Sequence, residues 1–539
     1  MWRYLLLLGS LLHLNAVSGA GQADHPRPNI LMIVADDWSF PHAGIYGNSW
    51  VKTPAFDRFA REGLLFTRAY TPVAKCSPSR ASLLTGRNPW QLDEAFAHRG
   101  FFPLQYRTYS EALGSEGYVV GYTGKGWSPG VALTADHLPR RLLGSAFDRR
   151  TLAPPTSAIS RNDYAGNFGE FLKTASTSGS PWCFWIGASE PHRPYEYGSG
   201  AAQTGRKPAD LGALPAYWPE DDRVRNDVLD YGFEVEHFDR QLQRILQVLA
   251  EQGAEENTLV VVTSDNGMPF PRSKSECYEI SNHVPLALRW PRGIGTSGRN
   301  IEDYVSLIDL APTILDAARL DWNRSGMKPL TGRSLMPLLH SSRSGRIETN
   351  RDFVLIGRER NAPGRPLNQG FPSRGIIEED WLYIENAAPD RWPGGNPETG
   401  YLEVDTGPSK SVIIQRRRSE PADTYWQMTF GRRSARELYN LKNDPDCIEN
   451  LISSSAHHDR AASLQARLQE QLTAQGDPRQ LGKPDYFDSF PFSYPAYNDF
   501  YERWASGQAK IPDTIPRSDI EPNPLPELLP PATSGTNHP

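Results

Sequence analysis

Cys76-Ser77-Pro78-Ser79-Arg80 puts a thiol and a guanidinium together at the start of a helix. Ser77 reads as its N-cap and Pro78 as its first residue. Ala81 to Leu84 favour helix, and Gly86 can close it. Cys76 then falls just ahead of a helix N-terminus, where free N–H groups and the dipole favour an anion. Arg80 lies in the first turn, facing the same anion. Taken alone, the pair also has a plain reading, a buried Cys and a surface charge.

Other polar residues gather at the ends of apolar runs. Asn29 to Ala35 reads as a strand buried on both faces and stops at Asp36-Asp37. Two adjacent acids there repel unless a cation sits between them; the alternative is a solvated turn. Tyr118 to Thr123 stops at Gly124-Lys125-Gly126-Trp127, where the glycines permit close backbone approach. Pro181 to Ser189 stops at Glu190-Pro191-His192-Arg193, a rigid setting for an acid or ligand. Thr258 to Ser264 stops at Asp265-Asn266-Gly267, and Lys274 follows in a Pro-rich loop.

Helices alternate with these strands. They are read over Pro54 to Phe66, Tyr109 to Gly117, Asn162 to Ala175, Asp227 to Gln252 and Ser306 to Leu315. The fourth is the clearest, with Val235, Phe238, Leu242, Ile245 and Leu249 on one face. Residues 198–222 read as a long loop, and Val284 to Trp290 as a further strand. Strand–helix alternation with polar strand ends predicts an α/β protein with a doubly wound, mostly parallel sheet, whose ligand site lies at the carboxyl ends of the strands.

From about Asn350 short alternating runs predict an antiparallel sheet in a smaller C-terminal α+β subdomain, with a helix from His457 to Ala474. The expected divisions are a signal peptide over 1–20, a catalytic domain over 24–349, the C-terminal subdomain over 350–507 and a Pro-rich, extended or disordered tail over 508–539. The apolar run Leu5 to Leu14, followed by small residues up to Ala20, is too short to span a bilayer once mature. It predicts export to the periplasm or exterior, with no membrane insertion. Lys plus Arg (57) nearly balances Asp plus Glu (63), which gives no basic face for nucleic acid. Four Cys without paired spacing make neither a disulfide framework nor a zinc cluster.

The Cys76 to Arg80 stretch, continuing into Leu83-Leu84-Thr85-Gly86, resembles the signature of the type I sulfatases. Asp36-Asp37, Gly124-Lys125, Pro191-His192, Asp265-Asn266-Gly267 and Leu438-Tyr439-Asn440-Leu441 follow in the family's order. Glu190 to Arg193 and Ser264 to Pro271 look like heparan N-sulfatase (sulfamidase) in particular. The resemblance implies an alkaline-phosphatase-like fold and oxidation of Cys76 to formylglycine by a formylglycine-generating or sulfatase-maturating enzyme. It also implies one divalent cation on Asp36, Asp37, Asp265, Asn266 and the modified Cys76, with Ca²⁺ first and Mg²⁺ second for all-oxygen ligation. Arg80, Lys125 and Lys274 would neutralise sulfate oxygens, and His192 would protonate the leaving group.

Two positions depart from the family. Trp127 stands where many sulfatases have a histidine that helps deprotonate the formylglycine hydrate, with His42 and His283 as other candidates for that base. Lys274 stands where sulfamidases have Arg, keeping charge without the bidentate fork. Trp127, Arg193, Arg360, Arg374, Arg391 and Trp392 are candidate contacts to a sulfated carbohydrate. The expected activity is hydrolysis of N- or O-sulfate on a glycan. The alternatives are a phosphomonoester or phosphonate hydrolase and a silent glycan-binding protein.

Overall fold

The computed structural model describes residues 26–420 and 423–522; the signal segment over 1–20 and residues 523–539 of the Pro-rich tail lie outside them. The main sheet has eight strands: β1 (Asn29–Ala35), β2 (Leu64–Phe66), β3 (Val119–Gly124), β4 (Ser145–Ala146), β5 (Trp182–Gly187), β6 (Thr258–Ser264), β7 (Leu286–Arg289) and β8 (Arg299–Ile301). Their order is β8-β2-β7-β6-β1-β5-β3-β4, and only β7 runs against its neighbours.

β1 is central because both its faces are apolar. Leu31, Ile33 and Ala35 enter one core, whereas Ile30, Met32 and Val34 enter the other. Full burial of each such Leu or Ile contributes about 1.5–3 kcal/mol. The first core is covered by α1 (Pro54–Glu62), by α3 (Tyr164–Ser176) and by α4 (Asp222–Glu251); the second by α2 (Cys76–Thr85) and the helix Leu310–Ala317. All five apolar residues read on the face of α4 are buried in the first core. Helices on both faces of a mostly parallel sheet are the expected doubly wound layers.

Four antiparallel strands form the smaller sheet: β9 (Phe353–Arg358), β10 (Ser373–Glu378), β11 (Trp381–Asn386) and β12 (Arg436–Asn440), paired in that order. Helix α5 (His458–Ala474) packs on it through Leu464, Leu468 and Leu472.

Three local expectations differ. The helix read over Pro54 to Phe66 stops at Glu62, and Leu64 to Phe66 form β2. A Cβ on Gly63 would lie 2.3 Å from the Leu288 carbonyl oxygen, so this glycine lets the chain turn from helix into the sheet against β7. Residues 198–222 hold a short helix, Ser199–Thr204, and a turn of 3₁₀ helix, Pro208–Leu211. Residues 508–522 are packed: Asp519 accepts from Ser411 at 3.0 Å and Glu521 pairs with Arg417 at 2.9 Å. Buried acids with partners anchor a stretch whose composition reads as loose. Among the described residues no helix is long and apolar enough to cross a membrane.

Two glycines set the spacing of β3 and β5. A Cβ on Gly187 would meet the Lys125 carbonyl oxygen at 1.7 Å, and one on Gly124 would meet the Gly187 carbonyl oxygen at 2.2 Å. Gly187→Ala is therefore expected to destabilise the fold by about 1–3 kcal/mol through overpacking. It should also lower turnover, because the displaced Lys125 carbonyl is an acceptor in the site below. Melting temperature and turnover together check this; an unchanged pair would refute it.

Candidate active site

The carboxyl ends of β1, β3, β5 and β6 meet the N-terminus of α2. Cys76 is the first residue of this helix, Lys75 is the N-cap, and all ten helical residues are buried. Ser77, read as the cap, is instead the second residue inside the helix. Its hydroxyl accepts from the Arg99 N–H at 3.3 Å and ties the 98–99 segment to the helix start. Ser79 Oγ donates to the Asp265 carbonyl at 2.6 Å and fastens α2 to the end of β6.

Asp37 adopts φ 75°, a left-handed conformation that is strained for a side chain and costs about 1–3 kcal/mol. Its neighbours hold it there. The Asp37 N–H donates to Asp265 Oδ1 at 3.1 Å, Asn266 Nδ2 donates to Asp37 Oδ1 at 2.6 Å, and Lys274 Nζ donates to Asp37 Oδ2 at 2.6 Å. Asp36 Oδ2 accepts from Lys125 Nζ at 2.5 Å, and Cys76 Sγ lies 3.5 Å from Asp36 Oδ1. Arg80 is fully buried. Its Nε donates to Asp265 Oδ2 at 2.7 Å and its Nη1 to the Lys125 carbonyl at 2.7 Å. Its Nη2 has no hydrogen-bond partner and lies 3.8 Å from Asp36 Oδ1. His192 Nδ1 donates to the Arg193 carbonyl, and Nε2 lies 3.8 Å from Asp37 Oδ2.

Burial sets the electrostatics. It pushes the Asp37 carboxyl up to about 7 despite Lys274 and His192. Burial also works against the Cys76 thiolate, yet Lys125 and Lys274 outweigh it and hold the thiol well below its ordinary value. Burial and Lys274 disfavour the His192 cation, but Asp37 and Asp36 bring it up to about 9. Burial drives His98 down to about 3.

Asp36, Asp37 and Asp265 each offer a carboxylate oxygen, all within 4.8 Å of one another. Asn266 Oδ1 is buried and has no partner. Three carboxylates and one orphaned amide oxygen fit a hard divalent cation. The cleft above them has a volume of about 450 Å³. Cys76, Lys125, His192 and Lys274 line it, joined by Lys75, His98, Arg99, Asn361, Asp405 and Tyr497. A larger cavity of about 610 Å³, beside Phe40, Trp50 and Trp218, holds none of the Cys76 cluster.

The sulfatase family model matches residues 28–320, more than half the chain. The chain belongs to the sulfatase family. Human N-sulphoglucosamine sulphohydrolase is 32% identical over 479 residues, covering 83% of this chain and 89% of that protein. An ulvan-active sulfatase of Formosa agariphila is 26% identical, covering 84% and 81%. The crystal structure of the phosphonate monoester hydrolase of Agrobacterium radiobacter superposes with a TM-score of 0.56 at 20% identity, covering 83% of this chain and 96% of that one. That likeness concerns the fold. As a member of this family the chain is a sulfuric ester hydrolase.

The structure thus brings nine expected residues of this sulfatase together: Asp36, Asp37, Cys76, Arg80, Lys125, His192, Asp265, Asn266 and Lys274. It does not bring the expected sugar contacts to the cleft. Arg193 makes a bidentate pair with Asp227, both arms at 2.7 Å. Arg374 pairs with Asp477 at 2.6 Å and Glu359 at 2.8 Å. Arg360 donates to the Phe490 carbonyl at 2.6 Å and sits over the Phe492 ring. Arg391 donates to the Gly370 carbonyl at 2.8 Å, and Trp392 packs against Trp426. Trp127 is buried and donates its indole N–H to the Ser77 carbonyl at 2.9 Å, buttressing α2. These groups are occupied by internal partners. His42 is held by Tyr231 and Trp50, and both ring nitrogens of His283 are taken, by Glu279 and by the Thr67 carbonyl. Neither lines the cleft.

Sequence reasoning missed Lys75, His98, Arg99, Asn361, Asp405 and Tyr497. Lys75 adjoins the motif and was within reach. The rest come from irregular segments with no periodic signal.

Two outcomes follow. Arg374→Ala would leave Asp477 short of its buried partner and lower stability by about 3–5 kcal/mol, with KM unaffected; a raised KM at unchanged stability would restore it as a substrate contact. A divalent cation such as Ca²⁺, added to chelated protein at one fixed concentration that is 100 times its Kd near neutral pH, should add about 2.7 kcal/mol of stability there. The gain should grow with pH. The Asp37 carboxyl is raised in the folded, metal-free chain, so its contribution to stability is present at low pH and lost as pH rises through about 7. Cation binding relieves that loss. Thermal melts with and without Ca²⁺ at about pH 5 and about pH 8 check it; equal gains at both would contradict it.

Proposed function

We propose that this sulfatase removes sulfate from carbohydrates, as an N-sulfate on glucosamine or an O-sulfate on another glycan, after conversion of Cys76 to formylglycine. The observation that carries the reading is the position of Cys76 Sγ, 3.5 Å from Asp36 Oδ1 at the buried head of α2. The N-sulphoglucosamine and ulvan activities named for the relatives support the substrate class.

The hydrated formylglycine supplies two hydroxyls on one carbon, one to accept the sulfuryl group and one whose proton loss releases it. A Ca²⁺ ion, or Mg²⁺ as second choice, would be held by Asp36, Asp37, Asp265, Asn266 and the modified residue, lowering the hydroxyl pKa and drawing in sulfate oxygen. The chain's own groups do the rest. Lys125, paired with Asp36, and Lys274, paired with Asp37, present ammonium charge to the sulfate oxygens. Arg80 Nη2 is the arm of its guanidinium still free for the same charge. His192, kept protonated by its carboxylate neighbours, donates a proton to the departing nitrogen or oxygen. Asn361, with both amide atoms buried and unpartnered, joins Arg99, Asp405 and Tyr497 as polar walls for the sugar. Export through the N-terminal segment and maturation by a formylglycine-forming enzyme complete the reading.

Mass spectrometry of protein from its native host should find formylglycine at position 76; thiol alone would end the mechanism. Cys76→Ala should cut turnover by at least about 10³-fold with the melting temperature preserved. Matched aryl sulfate and aryl phosphate esters separate this reading from a phosphoryl hydrolase. Faster phosphate release would favour the latter, and inertness of both, with sulfated glycan bound but intact, would mark a binding protein.

A further inference from the structure

The cleft contains a second imidazole that the roles above leave unused. His98 Nδ1 lies 2.9 Å from the Asn361 carbonyl oxygen. A carbonyl only accepts, so Nδ1 carries the proton and Nε2 carries the lone pair. The ring lines the same cleft as Cys76, and Nε2 is the nitrogen left free of the Asn361 contact. The segment is fixed on both sides, since the His98 N–H donates to the Arg360 carbonyl at 3.0 Å and the Arg99 N–H to Ser77 Oγ at 3.3 Å.

The two histidines flanking Cys76 face different charges. His192 Nε2 looks at the Asp37 carboxylate from 3.8 Å. Lys75 and Arg99 line the cleft beside His98 and oppose a further positive charge there, with Asp405 the acid in the same lining. Trp127 cannot serve as a base, because its indole nitrogen has no lone pair to offer and its N–H is used on the Ser77 carbonyl.

We propose that His98 is a catalytic residue of this sulfatase: Nε2 takes the proton of the second hydroxyl on the modified Cys76 and so triggers sulfate release. The assignment rests on the formylglycine reading above. As the hydroxyl proton moves to Nε2, its O–H electron pair closes the carbonyl double bond. The carbon–oxygen bond to sulfate breaks, and that pair leaves with the sulfate. Water adds to the aldehyde to restore the diol, and the His98 proton passes to solvent.

The test measures turnover and the covalent state of residue 76 in formylglycine-bearing enzyme. His98→Ala is expected to lower turnover of an aryl sulfate by about 10²–10⁴-fold and to accumulate a sulfuryl adduct on the residue-76 peptide in quenched samples. Added imidazole should restore release. His98→Gln, whose side-chain amide can still donate to the Asn361 carbonyl, should accumulate the same adduct and guards against a folding failure of the alanine variant. Slow turnover without adduct in both variants, or turnover near that of the parent, overturns the proposal. Parent enzyme that lacks formylglycine overturns the underlying reading instead, so the two failures are distinct.

Discussion

Three carboxylates share a space from which water is excluded. Asp36, Asp37 and Asp265 converge at the ends of β1 and β6, and each is almost wholly buried. A lone buried carboxylate is expensive, and three side by side are tolerable only when surrounded by positive charge. The chain answers with Arg80 on Asp265, Lys125 on Asp36 and Lys274 on Asp37. Each pair joins elements distant in sequence, so the charge balance is also what docks α2, the end of β3 and the 267–274 loop onto the sheet. The strained Asp37 backbone and the orphaned Asn266 oxygen persist because this ring of pairs over-determines them.

That arrangement lets the same cations hold the fold and serve the proposed chemistry. Lys125 and Lys274 cannot relax away from the cleft without stranding an acid, so their charge stays where a sulfate would sit. The site is preorganised: no reorientation of dipoles is required when charge develops on the substrate. Lowering of the Cys76 thiol follows from the same two lysines, which tie the chemistry of residue 76 to the salt bridges that hold the fold.

The parallel core and most of the charged cluster were legible in the sequence because burial writes itself in composition. Runs such as Ile30 to Ala35 and Leu259 to Thr263 are apolar on both faces and end abruptly in acids, leaving little doubt about where strand gives way to site. Two kinds of information were not legible. Local continuity misled at Leu64 to Phe66, where an apolar trio extends the helical pattern and only the close approach of Leu288 to Gly63 makes it a strand. Charge type misled at Arg193 and Arg374, because an arginine locked on a buried acid reads the same as one awaiting a substrate. The acids that claim them, Asp227 and Asp477, lie far along the chain and carry no motif. Asp405 and His98 were hidden for the same reason: their proximity to Cys76 is a product of tertiary packing alone.

Lysine at 274, where the resemblance to sulfamidases implies an arginine, is intelligible in the same terms. Lys274 Nζ sits between Asp37 Oδ2 at 2.6 Å and Asp405 Oδ2 at 3.1 Å, with Lys75 Nζ 3.9 Å from the other Asp405 oxygen. An ammonium is a compact charge able to bridge two acids from one point, whereas a guanidinium spreads its donors over a planar fork. With Asp405 on the far side, a point charge satisfies both carboxylates and still faces the cleft. Asp405 also brings an acid to the wall opposite Asp37, where a sugar hydroxyl or amine would find an acceptor. Lysine at 274 is therefore matched to what stands at 405 and 75, and the three residues together shape one end of the cleft.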